Sequence, residues 1–432
     1  MQLQRTISLS WNYFRRYVNR YIFLIIALSL GFSIITVMTG LSAGMTDSVY
    51  SAARNHYGGD YFILGYDGDH SKRSRTTDPD VIDSALKSLS IDFERIVKRV
   101  NYFSNGYLYH EGNSVRMKNV LGIDWTNEPD TLGSLHIVSG SLDDLNTEDS
   151  IIISEVVSQE LQAQAGDEVI LQGDTLSGQK NTAAFKVAAV FRDTTVFGYF
   201  KCFIPITAQQ SLLAYGEDEF SSYGLYLNEP LSASQITALH TALSSSLIVE
   251  KPISTRTAFN QSKKGRWDGI RYLMLNLGTY VSEVDDLLSA MTIISYFLYI
   301  MIIFIILVSI NITYRVIIKE RTGEIGTLRS IGMQRNDLVS LLLFECLWVF
   351  ILSLVLGGIL AAVILFILSL FSWSGIPGFE IFLKSGKLTA VFEGKTLFMN
   401  VLLLLGITMP AVMFPSIRGA RMNLTKALSG ED

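Results

Sequence analysis

Between two long apolar runs lies a charged stretch, Lys319 to Glu345, KERTGEIGTLRSIGMQRNDLVSLLLFE. Ile325, Leu328, Ile331 and Met333 recur there at near-helical spacing, with Arg321, Glu324, Arg329 and Arg335 between them, which predicts a short helix with one apolar and one charged face. The chemistry open to such a face is recognition, either of lipid headgroups or of a partner's groove. A helix that merely closes a loop is the plainer alternative. Glu345 is the one ionisable residue well inside an apolar run, where a carboxylate is costly unless paired. Its position predicts an ion pair with Arg329, Arg335 or Arg315 that holds the helix against the membrane spans. The competing reading is an idle charge that snorkels to the interface, two turns past Asp337.

Residues for bond-making chemistry are missing from the pattern. Gly394-Lys395-Thr396 resembles the end of a phosphate-binding loop, but the first glycine of that motif would fall on Thr389, and no strand precedes it. His56, His70, His110, His136 and His240 are scattered without ligand spacing, and Asp67-Gly68-Asp69 lacks the other oxygens of a calcium loop. Cys202 and Cys346 lie in environments too different to pair. Neither a metal nor a catalytic role is expected, and nothing suggests nucleic acid as a partner.

The elements that must hold these groups are set by hydropathy. Of 432 residues, 49% are hydrophobic and 17% charged, too apolar for an ordinary soluble chain. Four runs are long enough to cross a bilayer: Ile22 to Ala43, Ile293 to Tyr314, Leu338 to Phe371 and Leu397 to Pro415. The expected organisation is an interfacial helix at 1–21, spans at 22–43, 289–314, 338–371 and 397–417, and a large domain at 44–288. A charged loop at 315–337 joins the second and third spans, a short loop at 372–396 the third and fourth, and a tail at 418–432 ends the chain. Residues 44–288 hold 20 basic and 32 acidic groups, a net of −12, whereas Arg5, Arg15, Arg16, Arg20, the Lys319 segment, Arg418, Arg421 and Lys426 lie near span ends. By the positive-inside rule both termini and the Lys319 loop are cytoplasmic and the acidic domain is outside. The first apolar run is longer than a signal peptide's, so it reads as an anchor that stays, despite the small residues Ser42-Ala43-Gly44. Gly357-Gly358 should let another backbone approach the long third span, and Pro410 should loosen the fourth.

Within 44–288 the pattern predicts strands at 60–65, 102–108, 114–123, 151–153, 168–171, 184–191 and 201–206. Helices are expected after Asp78, capped by its carboxylate, and at 155–163 and 232–244. The sum is an α+β domain. Two helices should overshoot the membrane as a stalk: the first span continues through Met45, Val49 and Ala52, and Tyr272 to Ala290 steps through Leu273, Leu277, Val281, Val284 and Leu288.

ERTGEIGTLRSIGMQRNDLVSLLLFE resembles the ERxxEIGxLRAxGAxxxxI…E signature of the FtsX/MacB/LolC-LolE superfamily of ABC-transporter permeases. PSIRGARMNLTKAL is similar to the family ending PAxRAaxxxPxxAL, departing from it at Leu424-Thr425, where a proline is usual. Gly140, Ile151 to Ser154, Gly166-Asp167 and Phe185 to Phe191 loosely match the MacB extracytoplasmic core pattern. The resemblance implies an α-helical membrane protein with four transmembrane helices and a large α+β domain between the first two, in the bacterial inner membrane. It implies a cytoplasmic coupling helix built from Glu320, Arg321, Glu324, Ile325, Gly326, Leu328, Arg329 and Gly332 that touches a separate ABC ATPase. This chain would bind no cofactor, ATP and Mg2+ belonging to the ATPase. A second permease copy or paralogue and a periplasmic lipoprotein or adaptor client are the other implied partners. Only some twenty residues precede the first span, whereas MacB carries its ATPase there, and FtsX has a smaller outer domain. The expected job is therefore lipoprotein or lipid release of the LolC/LolE type, with MacB-type efflux and FtsX-type control of a cell-wall hydrolase as alternatives.

Overall fold

The computed structural model describes residues 2–68, 73–102, 106–146, 148–193, 197–373, 376, 379, 382–384 and 386–421. The helices are α1 (Gln2–Tyr17), α2 (Ile22–Tyr57), α3 (Pro79–Lys87), α4 (Pro129–Gly133), α5 (Glu155–Leu161), α6 (Ile206–Leu213), α7 (Ala233–Ser244), α8 (Arg256–Ser262), α9 (Leu277–Tyr280), α10 (Ser282–Glu320), α11 (Thr322–Ser330), α12 (Arg335–Leu370) and α13 (Gly394–Ala420). The strands are β1 (Tyr61–Asp67), β2 (Phe93–Tyr102), β3 (Gly106–His110), β4 (Asn113–Met117), β5 (Asn119–Ile123), β6 (His136–Gly140), β7 (Ser150–Ser154), β8 (Glu168–Asp174), β9 (Lys180–Arg192), β10 (Lys201–Pro205), β11 (Ser222–Leu227) and β12 (Ile270–Asn276). They form two compact units, one of Met1–Asp47, Leu288–Ser372 and Lys387–Asp432, the other of Ser48–Leu287 and Trp373–Gly386.

In the first unit, four stretches among the described residues are long and apolar enough to cross a membrane: Thr6–Tyr57, Leu288–Glu320, Arg335–Leu370 and Gly394–Ala420. They leave large apolar side chains uncovered, Ile293, Phe297, Ile300 and Phe304 of α10 among them. A protein in water would not leave such a face; hydrocarbon is the solvent that matches it. Inside, Leu24, Leu28, Ile310, Leu341, Val349 and Val412 make the core shared by the spans. Gly357 lies against α2 so closely that a Cβ there would stand 2.6 Å from the Ser29 carbonyl oxygen; Gly358 meets nothing nearer than 3.9 Å. Only the first of the paired glycines therefore serves the close approach. Helix α13 runs unbroken through Pro410 and Pro415, and its first turn holds the Gly394-Lys395-Thr396 tripeptide. The tail beyond Arg421, with Lys426 and the Leu424-Thr425 departure, lies outside the described residues, as do His70, Asp69 and the side chains of Arg5 and Val284.

The second unit is built on one twelve-stranded mixed sheet in the order β12-β1-β11-β2-β5-β10-β7-β9-β8-β3-β4, with β6 added on β9. Its central strands are buried on both faces, Ile151, Ile152 and Ile153 of β7 all fully. Three expectations are corrected here. The run 114–123 is two strands, β4 at the edge against β3 and β5 inside against β10 and β2. Asp78 occupies the N-cap of α3, but its carboxylate accepts from the Tyr272 hydroxyl at 2.5 Å and does not cap the helix. Most consequentially, Tyr272 to Asn276 is strand β12, paired antiparallel along the whole of β1. Its residues fill cores on both faces, Tyr272 and Met274 on one and Leu273 and Leu275 on the other. A strand buried on two sides reads as an apolar run, and the i, i+4 spacing of Leu273 and Leu277 within it is coincidental.

The second stalk thus starts with the one-turn helix α9 at Leu277, and its long helix α10 begins at Ser282 after a break at Val281. Ala53 and Tyr57 of α2 share a core with Leu277, Tyr280 and Val281, and the Tyr57 and Tyr280 rings stack at 4.5 Å. The end of α2 is tied into the sheet by charge. Arg99 of β2, fully buried, donates to the carbonyls of Asn55 and His56 at 2.9 and 3.0 Å and pairs with the buried Glu128. A cation on the last free carbonyls of a helix satisfies both their hydrogen bonding and the helix dipole. Arg54 Nε donates to both carboxylate oxygens of Asp60 at 2.9 and 2.8 Å, and its Nη2 donates to Glu94 at 2.6 Å.

Candidate coupling site

The second span helix, α10, runs to Glu320, so the expected charged helix is shorter than its sequence segment. Its helical part is α11, nine residues beginning after Arg321. Its end is fixed by Gly332, at φ +104°, where a side chain would be strained. The Met333 amide donates to the Leu328 carbonyl and the Gly332 amide to that of Arg329, both at 3.1 Å. This is a Schellman end, and it gives Gly332 a structural duty.

The expected sidedness of the helix is partly reversed. Arg321, assigned to the charged face, is 2% exposed, while Ile331, assigned to the apolar face, is 79% exposed. Ile325 and Gly326 are buried, Leu328 and Met333 pack on the membrane core, and Glu324 and Arg329 are half-buried. The open surface consists of Gly323, Thr327, Ser330, Ile331 and Gly332, with Glu320 beside it. It is small, uncharged in the middle, and carries one apolar knob.

Arg321 turns inward because the backbone breaks there, between α10 and α11, and aims its side chain at Glu345. Nη1 donates to Glu345 Oε2 at 2.5 Å, and the Tyr21 hydroxyl donates to the same oxygen at 2.6 Å. Arg321 Nε also donates to Glu324 at 3.1 Å, and the guanidinium lies over the rings of Tyr13 and Tyr17, 4.9 and 5.6 Å from their centroids. Burial alone would lower the Arg321 pKa; the charge and hydrogen bond of Glu345 outweigh it and raise the pKa. The expected pairing of Glu345 with Arg329, Arg335 or Arg315 is thus corrected: its cation is Arg321. A partner 24 positions away, on the first residue past a helix break, could not be distinguished by spacing from its neighbours.

Tyr21 extends the cluster to the chain's beginning. It sits in the one-turn 3-10 link between α1 and α2 and is buried. Trp11 of α1 meets Trp348 of α12 edge-on at 4.8 Å, and Trp348 Nε1 donates to Ser10 Oγ at 3.3 Å. Outside the buried cluster, Arg20 approaches Glu320 at 3.8 Å. One carboxylate therefore joins the entry to the first span, the exit of the second, the start of α11 and the body of the third. The contacts tie these elements together at one buried point. Among the described residues no group of histidine, cysteine or acidic side chains could hold a metal ion.

Two family models match the chain. The MacB-like periplasmic core domain matches residues 22–242, half of the length, and the FtsX-like permease C-terminal matches residues 296–424. The chain belongs to the MacB/FtsX-like permeases. These are the membrane subunits of ABC transporters that work with an ATPase, and they are typically non-catalytic. This permease is thereby a multi-pass membrane protein with a MacB-like α+β domain between its first two spans. A solved structure, the periplasmic region of MacB from Actinobacillus actinomycetemcomitans, is similar at 15% identity over 52% of this chain and 92% of that one, with a TM-score of 0.31. No curated protein matches the chain.

Proposed function

We propose that this permease sits in the bacterial cytoplasmic membrane with both termini inside, and converts ATP-driven motion of a separate ATPase into movement of its outer domain. The observation that carries the reading is the buried Arg321–Glu345–Tyr21 cluster, because it makes α11 part of the span bundle rather than a loop laid on it. A push on α11 must then move the exit of α10 and the entry of α2. Both are unbroken helices, α2 to Tyr57 and α10 from Ser282, and Arg99 grips the far end of α2 through Asn55 and His56. Rigid rods deliver displacement that a flexible linker would dissipate. The ATPase is the expected contact of α11, and ATP and Mg2+ bind there. A second copy or a paralogue completes the transporter.

The work done outside is the release of a lipid-anchored client, as in the LolC/LolE branch. Supporting this is an apolar groove of about 890 Å3 between α2 and α10, walled by Phe23, Ile26, Leu30, Ile305 and Ile312, of a nature to accept acyl chain. Proteoliposomes holding the permease with its ATPase should release a lipoprotein to an outer acceptor in step with ATP turnover. Export of a soluble peptide without lipoprotein release would put the MacB-type activity in its place, and activation of a cell-wall hydrolase alone the FtsX type.

A further inference from the structure

The outer domain holds a cavity that the coupling account leaves unused. It is about 340 Å3, within the range of small-molecule sites, and lies beside β1, β2 and β11, under α8. Its charged lining is basic: Arg73, Arg256 and Lys263 face it, with the buried His56 in its wall, and among the described residues no carboxylate lines it. Arg73 is already engaged, donating to the Thr175 carbonyl at 2.8 Å and lying 3.9 Å from Asp174.

Arg256 and Lys263 differ. They are the first residue of α8 and its C-cap, both half-buried, and among the described residues neither has a carboxylate within ion-pair distance. Both instead lean on one ring: Arg256 Cζ is 5.5 Å and Lys263 Nζ 4.0 Å from the Phe259 centroid. Two half-buried cations on one short helix repel, and burial together with Arg256 lowers the Lys263 pKa. An anion between them would remove that repulsion. Much of the remaining lining is aromatic, with serines and asparagines between the rings. Tyr66 and Tyr280 stand edge-on to Phe259 at 6.3 and 6.0 Å, leaving flat apolar surface next to the two charges. Asn101, also in the lining, spends its amide nitrogen on Ser222 Oγ at 3.5 Å, while its carboxamide oxygen is buried without a hydrogen bond. That oxygen is an acceptor waiting for a hydroxyl or N–H donor.

We propose that this cavity binds a small organic acid with a flat, aromatic body, its carboxylate between Arg256 and Lys263 and its ring against Tyr66 and Tyr280. A hydroxyl on the ring answers Asn101. The site rests on the outer domain alone, so it stands or falls separately from the coupling reading.

The test is calorimetric titration of the full chain in lipid nanodiscs with 6-hydroxy-2-naphthoate, subtracting empty nanodiscs, beside the isosteric uncharged 6-hydroxy-2-naphthamide. We expect saturable one-site binding of the acid and at least tenfold weaker binding of the amide. Arg256→Glu with Lys263→Glu should weaken the acid at least tenfold, while Lys263→Arg stays within threefold of wild type. Equal binding of acid and amide, unchanged binding in the reversal variant, or no saturable binding of the acid would overturn the proposal. Should the reversal variant fail to fold by near-UV circular dichroism, Arg256→Gln and the acid-to-amide ratio on wild type decide.

Discussion

Replacing Arg321 by methionine keeps an unbranched apolar stem and removes the guanidinium, with its pair to Glu345 and its exposed-side contact to Glu324; the double-mutant cycle with Glu345 isolates the buried pair. Glu345 is 0% and Arg321 2% exposed, so neither charge is appreciably solvated when its partner is lost. Breaking one side of a buried pair costs about 3–5 kcal/mol. The Tyr21 hydroxyl, 2.6 Å from the same oxygen, still donates and offsets part of this, which puts Arg321→Met near the low end, at about 3 kcal/mol. Tyr21→Phe removes one hydrogen bond to a charged group and should cost about 2 kcal/mol. Arg321→Met combined with Glu345→Leu removes both charges, and buried pairs replaced by apolar groups come out within about 1 kcal/mol of neutral, or more stable. The assay is reversible unfolding of the full chain in mixed micelles, read as a double-mutant cycle. If Arg321→Met alone costs under about 1 kcal/mol, or the double variant costs the sum of the singles, the charges are solvated or separately held, and the cluster is no junction.

Three further outcomes follow. Ile331→Glu should leave insertion and folding unchanged, since the side chain is 79% exposed, yet weaken association with the ATPase at least tenfold in pull-down from nanodiscs, as loss of a central apolar anchor does. Burial pushes the Lys201 pKa down to about 8, with Asp193 opposing and Arg99 assisting. From about 8 to the ordinary lysine value near 10.4 the unfolded chain therefore holds a proton the folded one has released, so wild type should gain on the order of 3 kcal/mol relative to Lys201→Met across that window, seen as converging or crossing melting curves. Cys202 and Cys346 are both buried and should resist thiol reagents in the folded protein, whereas a cysteine at exposed Thr241 should label from outside intact spheroplasts and one at Ser330 should not.

Much of the architecture was legible because its signals are local. The apolar runs fall within four long apolar helices, and the spacing of Leu231, Ile236, Leu239 and Leu243 marks the helix that α7 forms. What sequence concealed is what depends on burial from two sides. Strand β2 alternates Arg95, Lys98 and Arg99 with apolar residues and reads as a polar stretch, yet Arg99 is the buried clasp of α2. β12 looked helical for the complementary reason, being apolar from Tyr272 to Leu275 and running on into Leu277. In the Lys319 segment the spacing indicated a helix and a paired Glu345, but not Arg321 as its partner, because the turn between α10 and α11 decides which arginine faces inward. The cavity under α8 left no trace in spacing, its walls coming from β1, β2, β11 and α8, far apart in the chain.

The central claim, that ATP turnover below is delivered as motion above through unbroken helices, is tested most directly by pulsed electron resonance between spin labels at Thr241, on α7, and Ser372, at the end of the third span, in the permease–ATPase complex. Trapping the ATPase in its nucleotide-closed state should shift the distance distribution, and Gly-Gly-Ser inserted after Asp285, within α10, should abolish the shift while ATP hydrolysis continues. No shift on trapping, or the same shift with the insertion present, would contradict it.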